Sequence, residues 1–145
     1  MTEELSDSRL PNKLSFDNLA AKVISAPFHR WMNLHLVALN DRDVVIEMPW
    51  RDEIIANPSV GYAHGGLLAT LIDLTADYAI AAKLGRGVPT VDMRVDFHRP
   101  ALSGPLRVTG RVIKLGRTLA TAEAWVADPA GKLLASGRAT FIVAS

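Results

Sequence analysis

His64, Gly65 and Gly66 stand immediately before an apolar stretch whose only acids are Asp73 and Asp77. The arrangement joins a turn able to hold an anion to a carboxylate in apolar surroundings. From Leu67 to Ala82 the residues LLATLIDLTADYAIAA contain no Gly or Pro and are apolar around most of the circumference, as a helix wrapped by other elements must be. Gly65 and Gly66 then fall at its first turn, where backbone N–H groups lack intrahelical partners and point along the positive end of the helix dipole. Such N–H groups suit a carbonyl oxygen gaining negative charge during a reaction, and glycine lets a substrate approach closely. Asp73 has the chemistry of a nucleophile or a general base.

Helix geometry then constrains how these groups cooperate. Asp73 lies eight positions after Gly65, and at about 1.5 Å rise per residue the two are roughly 12 Å apart along the axis. One carbonyl cannot reach both, because the attacking group and the oxyanion donor must each lie about 3 Å from the same reacting centre. Two helices running antiparallel across a two-fold axis solve the problem, with Gly65 of one chain facing Asp73 of the other. The spacing therefore predicts a homodimer as the active unit.

Each candidate also has a plainer reading. Leu71, Ile72, Leu74 and Ala76 surround Asp73 and predict a buried carboxylate in need of a partner. Asp77 follows at i+4, where two ionised acids repel, so it reads as structural, with one of the pair turned to solvent or a cation. His64 has the chemistry of a general base, but a loop fastener is the better reading. His29, His35, His64 and His98 show none of the short paired spacings of zinc ligands, and no metal is expected. The chain has no phosphate-binding glycine loop and no Gly-x-Ser-x-Gly elbow, which disfavours nucleotide hydrolases and serine-triad enzymes.

The elements that must position these residues follow from patterning. Phe16 to Ser25 spaces its apolar residues on one helical face, with Ser15 placed to cap it. Leu34–Leu39 and Val44–Met48 read as a strand pair joined at Asn40-Asp41, and the long helix follows. Val91 to His98 alternates apolar and polar residues without a break, predicting a strand with one buried face. Leu106–Leu115, Leu119–Ala127 and Leu133–Val143 are three further strands, with turns at Gly116-Arg117 and Asp128-Pro129-Ala130-Gly131. Two strands, one long helix and four more strands make an α+β fold with antiparallel hairpins.

The 145 residues, 49% of them hydrophobic, fit one domain over 1–145, with residues 1–14 read as a loose tail. A net charge of +1 supplies no general field for nucleic acid or an anionic membrane, and neither partner is expected. Cysteine is absent, which removes disulfides and thiol chemistry. The polar start MTEELSDSRLPNKLS has no secretory pattern, and no apolar run approaches the roughly 18 residues of a membrane span. A cytoplasmic location is expected.

The stretch from about Leu34 to Val143 resembles the hotdog-fold thioesterases of the PaaI type. The resemblance is carried by Gly61-Tyr62-Ala63-His64-Gly65-Gly66, by Asp73 nine residues after His64, by Thr90-Val91-Asp92-Met93-Arg94-Val95-Asp96-Phe97 followed by Arg99-Pro100-Ala101, and by Gly131-Lys132-Leu133. It implies a curved antiparallel sheet of about six strands around one central helix, a short N-terminal helix, and a homodimer assembled as a tetramer. It also implies acyl-CoA hydrolysis without a bound cofactor, CoA being part of the substrate. The Gly65 amide would polarise the thioester carbonyl, and Asp73 of the facing subunit would attack it or activate water. His64 and Gly66 belong to the same motif, and Thr90 fills the position of a Ser or Thr that such families place near the acid. The family often has Asn or Gln six residues before the His, where this chain has Pro58, so Asn57, seven before it, takes the water-holding role only if the loop carries one extra residue. Arg99 and Arg117 are candidates for the CoA phosphates. The rivals are a non-catalytic acyl-CoA-binding hotdog protein and a dehydratase on the same fold. How Phe16, Phe28, Trp31, Trp50, Tyr62 and Tyr78 fold together is expected to set the acyl pocket, with aryl-acetyl and medium-chain groups both open.

Overall fold

In a computed structural model, which describes residues 12–144, α1 spans Phe16–Val23, α2 Pro27–Trp31, β1 His35–Leu39 and β2 Asp43–Met48. A single 3-10 turn at Asp52–Ile54 leads to α3, Gly65–Leu84, and β3 to β6 occupy Thr90–Phe97, Leu106–Leu115, Leu119–Ala127 and Leu133–Ile142. The strands form one antiparallel sheet in the order β1-β2-β4-β5-β6-β3, curved around α3. This is the expected hotdog arrangement. The short α2 and the 3-10 turn are additions that patterning did not suggest, since each is too brief to show a period.

Local chemistry explains the boundaries. Ser15 caps α1 by accepting the Asn18 N–H at 3.2 Å. The Asn40 side chain accepts the N–H groups of Arg42 and Asp43, each at 2.9 Å, which closes the β1–β2 hairpin. α3 stops at Gly85, whose φ of 81° is open to glycine at little cost. The expectation of a loose tail falls on residues 1–11 outside the described part, but its last residues are tied down. Leu14 donates its N–H to the Ala82 carbonyl at 2.8 Å, and Leu14 packs against the core.

The seat of α3 depends on small residues beneath it. β5 turns Ala120, Ala122 and Ala124 inward, all fully buried or nearly so, under Leu71, Ile72 and Ile80 of the helix. Burial of each such Leu or Ile contributes about 1.5–3 kcal/mol. At Gly110 of β4 the approach is closest: a Cβ there would lie 2.5 Å from the Thr75 carbonyl oxygen of α3. The helix that carries Gly65 and Asp73 is thus seated on the sheet through its buried residues from Leu68 to Ala82.

One strand departs from expectation. β3 alternates as predicted, yet it buries neither face fully, and Val91 and Phe97 remain 53% and 56% exposed. It is an edge strand, paired with β6 on one side only. Its apolar face is half covered by α3 and left open beyond it.

Candidate active site

At its start, α3 sorts its free N–H groups by partner. His64 is the N-cap, and its Nδ1 accepts the Gly66 N–H at 2.8 Å. Leu67 donates to the His64 carbonyl at 3.0 Å. The Gly65 N–H has no intrahelical acceptor, as the first donor of a helix, and makes no bond to another described residue. Two of the three N–H groups are engaged by His64, and Gly65 alone presents a donor. Accepting at Nδ1 places a neutral imidazole's proton on Nε2, so in this geometry His64 organises the turn.

The Gly65 backbone opens onto a cavity of about 360 Å3 lined by Tyr62, Gly65, Leu68, Phe97, Arg99 and Pro100, among others. The Phe97 ring lies so close that a Cβ on Gly65 would meet it at 3.3 Å. Any side chain here would have to press the Phe97 ring aside by a few tenths of an ångström, so glycine suits the packing of β3 as well as access to the N–H. Sequence reasoning had not singled out Phe97. The signal was present in the alternation of β3, which puts it on the face shared with Met93 and Val95.

Asp73 sits two turns further along, where the Thr90 hydroxyl donates to its Oδ1 at 2.7 Å. Oδ2 has no protein partner among the described residues, so one oxygen is held and the other is presented. Asp73 is partly exposed, where its apolar neighbours predicted burial. The reason is that those neighbours point to the sheet, while Asp73 points to the open end of β3.

Asp77 is the more deeply placed acid and holds a structural bond, so of the pair it is Asp73 that turns toward solvent. Its Oδ1 accepts the Val88 N–H at 3.0 Å because the loop after α3 folds back along the helix. Burial, and then the charge of Asp73, push its carboxyl up to about 6, against the opposing pull of the Val88 bond and Lys22. Burial and the Asp77 charge likewise raise the Tyr78 phenol to about 12.

The remaining candidates disperse. Asn57 uses its side-chain oxygen to accept the Ser59 N–H at 3.0 Å, and its carbonyl accepts Gly61 N–H at 2.7 Å. It builds the turn before Tyr62, at the Gly65 end of α3. Arg99 lines the Gly65 cavity and donates to the Leu133 carbonyl at 3.4 Å. Arg117 occupies the β4–β5 turn at the opposite end of the sheet, the end where Thr90 pairs with Phe141 and Leu119 with Ile142. The aromatic residues do not converge on one pocket. Phe28 and Trp31 stack at 6.3 Å near the surface, the Arg51 guanidinium covers Trp31 at 3.9 Å, and the Tyr78 hydroxyl donates to the Lys22 carbonyl of α1 at 3.2 Å. Of the six aromatic residues expected to set the acyl pocket, Tyr62 alone joins the Gly65 cavity, beside Phe97. Among the described residues no group of three or more His, Asp or Glu is arranged to hold a metal ion, and no helix is long and apolar enough to cross a membrane.

Comparison with known proteins bears on the same residues. A family model of the thioesterase superfamily matches residues 60–135, which include α3 and the strands that carry the site. Human acyl-coenzyme A thioesterase 13 is 37% identical over 109 residues, covering 72% of this chain and 76% of that protein. A solved structure of a thioesterase superfamily protein aligns with a TM-score of 0.85 and 43% identity over 88% of this chain and 96% of its own. The PaaI protein of the E. coli phenylacetic acid degradation operon shares the fold, with a TM-score of 0.76 at 19% identity over 88% of this chain and 95% of that one.

Proposed function

Because the chain belongs to the thioesterase superfamily, and is a thioester hydrolase on that ground, we propose that acyl-CoA thioesters are its substrates and that Asp73 is the reacting carboxylate. The observation that carries the reading is the division of α3. A single unengaged N–H lies at Gly65, and about 12 Å along the axis stands a carboxylate with one oxygen held by Thr90 and the other presented. Such a pair serves one thioester only when two copies meet. Pairing of the exposed edge of β3 with its equivalent in a second copy would run the two sheets together, set two α3 helices antiparallel and cover Val91 and Phe97.

The reaction then follows from the groups present. The Gly65 N–H donates to the thioester oxygen as it becomes an oxyanion, in the low-dielectric surroundings that strengthen such a bond. Oδ2 of the facing Asp73 either adds to the carbonyl carbon or takes a proton from a water that does so. In both routes the C–S bond breaks and the electron pair leaves with the CoA sulfur, which takes up the proton released by the water. When water adds directly the acyl group leaves at once as a carboxylic acid, and when Asp73 adds, water then cleaves the acyl–Asp73 anhydride to release the acid and restore the carboxylate. Thr90 keeps the carboxylate oriented. In the shared arrangement Arg99 of one copy and Arg117 of the other lie toward one site, suited to the CoA phosphates. His64 and Gly66 support the donor turn. Asn57 builds the turn at the Gly65 end of α3, the end that the facing Asp73 approaches, and so stands on the side of the site where the attacking water would be held.

Asp73→Asn tests this reading, because an amide neither attacks nor accepts the water's proton effectively. Turnover of an acyl-CoA panel, followed by free thiol, should fall by about two to four orders of magnitude with the fold intact. Native turnover in Asp73→Asn would refute it, and acyl-CoA binding without hydrolysis by the native protein would favour a binding role.

A further inference from the structure

We propose that Asp77 is a positioning residue for the reaction: by accepting the Val88 N–H it fixes the start of β3 against α3, so that the Thr90 hydroxyl meets Asp73. This rests on Asp73 being the reacting carboxylate. Two spacings coincide here. Carboxylates at i and i+4 of a helix are about 6 Å apart along the axis, and residues two apart in an extended chain are about 6.6 Å apart. Asp73 and Asp77 therefore meet Thr90 and Val88 in register, the later helix residue with the earlier loop residue, with bonds of 2.7 and 3.0 Å.

The strand ladder alone leaves this end of β3 underdetermined. The pairing of β3 with β6 shifts register between Thr90 and Asp92, a bulge next to the residue whose hydroxyl must be aimed. The sheet side of the loop is held where the Pro89 carbonyl accepts the Ile142 N–H at 3.0 Å. On the helix side Val88 is anchored by its side chain, which is buried in the core, and by its N–H, whose bond to Asp77 is the loop's polar tie to the helix that carries Asp73. Gly87 brings the loop in, its Cβ position lying 3.5 Å from the second Asp77 oxygen. A carboxylate has no donor of its own, so it accepts from Val88 in either rotamer of its two oxygens.

The test is a double-mutant cycle on kcat and KM for a good acyl-CoA substrate. Asp77→Ala is expected to lower kcat about tenfold, with KM changed less than about twofold, and to lower kcat no further in a Thr90→Ala background. Asp77→Asn, whose side-chain oxygen can take the same bond, should restore kcat to within about twofold. Equal losses from Asp77→Ala in both backgrounds mark a merely structural acid and overturn the proposal, as does native kcat in Asp77→Ala. If Asp77→Ala does not fold, Val88→Pro removes the same bond from the donor side and takes its place in the cycle. Asp73→Asn is measured alongside. Its activity would overturn the reading of Asp73 and this proposal with it, whereas an inactive Asp73→Asn with additive losses at 77 and 90 overturns the role of Asp77 alone.

Discussion

Two acids one helical turn apart carry opposite burdens in this protein. Asp73 points to the open end of β3 with a hydroxyl partner, whereas Asp77 is desolvated and sits beside its neighbour's charge. The consequence for stability has a definite sign. In the unfolded chain Asp77 titrates near its ordinary 3.8, and in the folded protein at about 6. The folded state therefore holds the proton more tightly, and this group's contribution to stability is intact below about pH 4 and lost as pH rises through 6. The shift corresponds to at most about 3 kcal/mol above pH 7. Asp77→Asn should thus be more stable than the native protein at pH 7.5, with the advantage shrinking to nothing near pH 4. Denaturant unfolding at fixed protein concentration across that range would check it, and a constant difference at every pH would show that the charge is not the cause.

Among the elements, α3 bears the most constraint because it carries both ends of the proposed reaction. Its distance from the sheet is set where Gly110 of β4 passes the backbone of Thr75. An alanine there must push the helix outward, since the obstructing atoms are backbone atoms that cannot rotate away. Gly110→Ala should cost about 1–3 kcal/mol and should also reduce turnover, because a displaced α3 moves Asp73 away from Thr90. Urea unfolding and a kcat measurement on the same preparation test both halves. Native stability in Gly110→Ala would mean that the helix is not seated on β4 as closely as the structure has it.

For the whole molecule, the proposed mechanism makes catalysis a property of two chains, because Gly65 and Asp73 are roughly 12 Å apart on one helix. Two inactive variants should therefore complement. Asp73→Asn damages one end of the site, and Gly65→Pro removes the donor N–H from the other. Proline is tolerated at the first position of a helix, but its Cβ would approach Phe97 at 3.3 Å, so the folding and assembly of that variant need checking first. A mixed dimer holds one site with both defects and one with neither. Activity should return as chains exchange, toward about half that of the native dimer per mixed dimer. Differential tagging would verify exchange, and inactive mixed dimers would refute the shared site.

From the residues alone the order of the strands and the long helix was legible, and so were Gly65 and Asp73 as the candidates for the reaction. A long apolar run without Gly or Pro reads as a wrapped helix, and each strand declares itself by its alternation. The separation of a helix-start donor from a downstream acid is also plain in one dimension, because the rise per residue is constant. The bond from Thr90 to Asp73 came from family resemblance, since the two stand seventeen positions apart and local pattern carries no information about which atoms meet across a fold. Three features belonged to the tertiary structure only. His64 spends its ring on Gly66 and so leaves Gly65 as the sole donor, which depends on a cap geometry and not on composition. Asp77 rather than Asp73 is the desolvated acid, because the loop at Val88 folds back over the helix. β3 keeps an exposed apolar face because its place at the edge of the sheet is decided by the pairing of all six strands, which no single strand's sequence encodes.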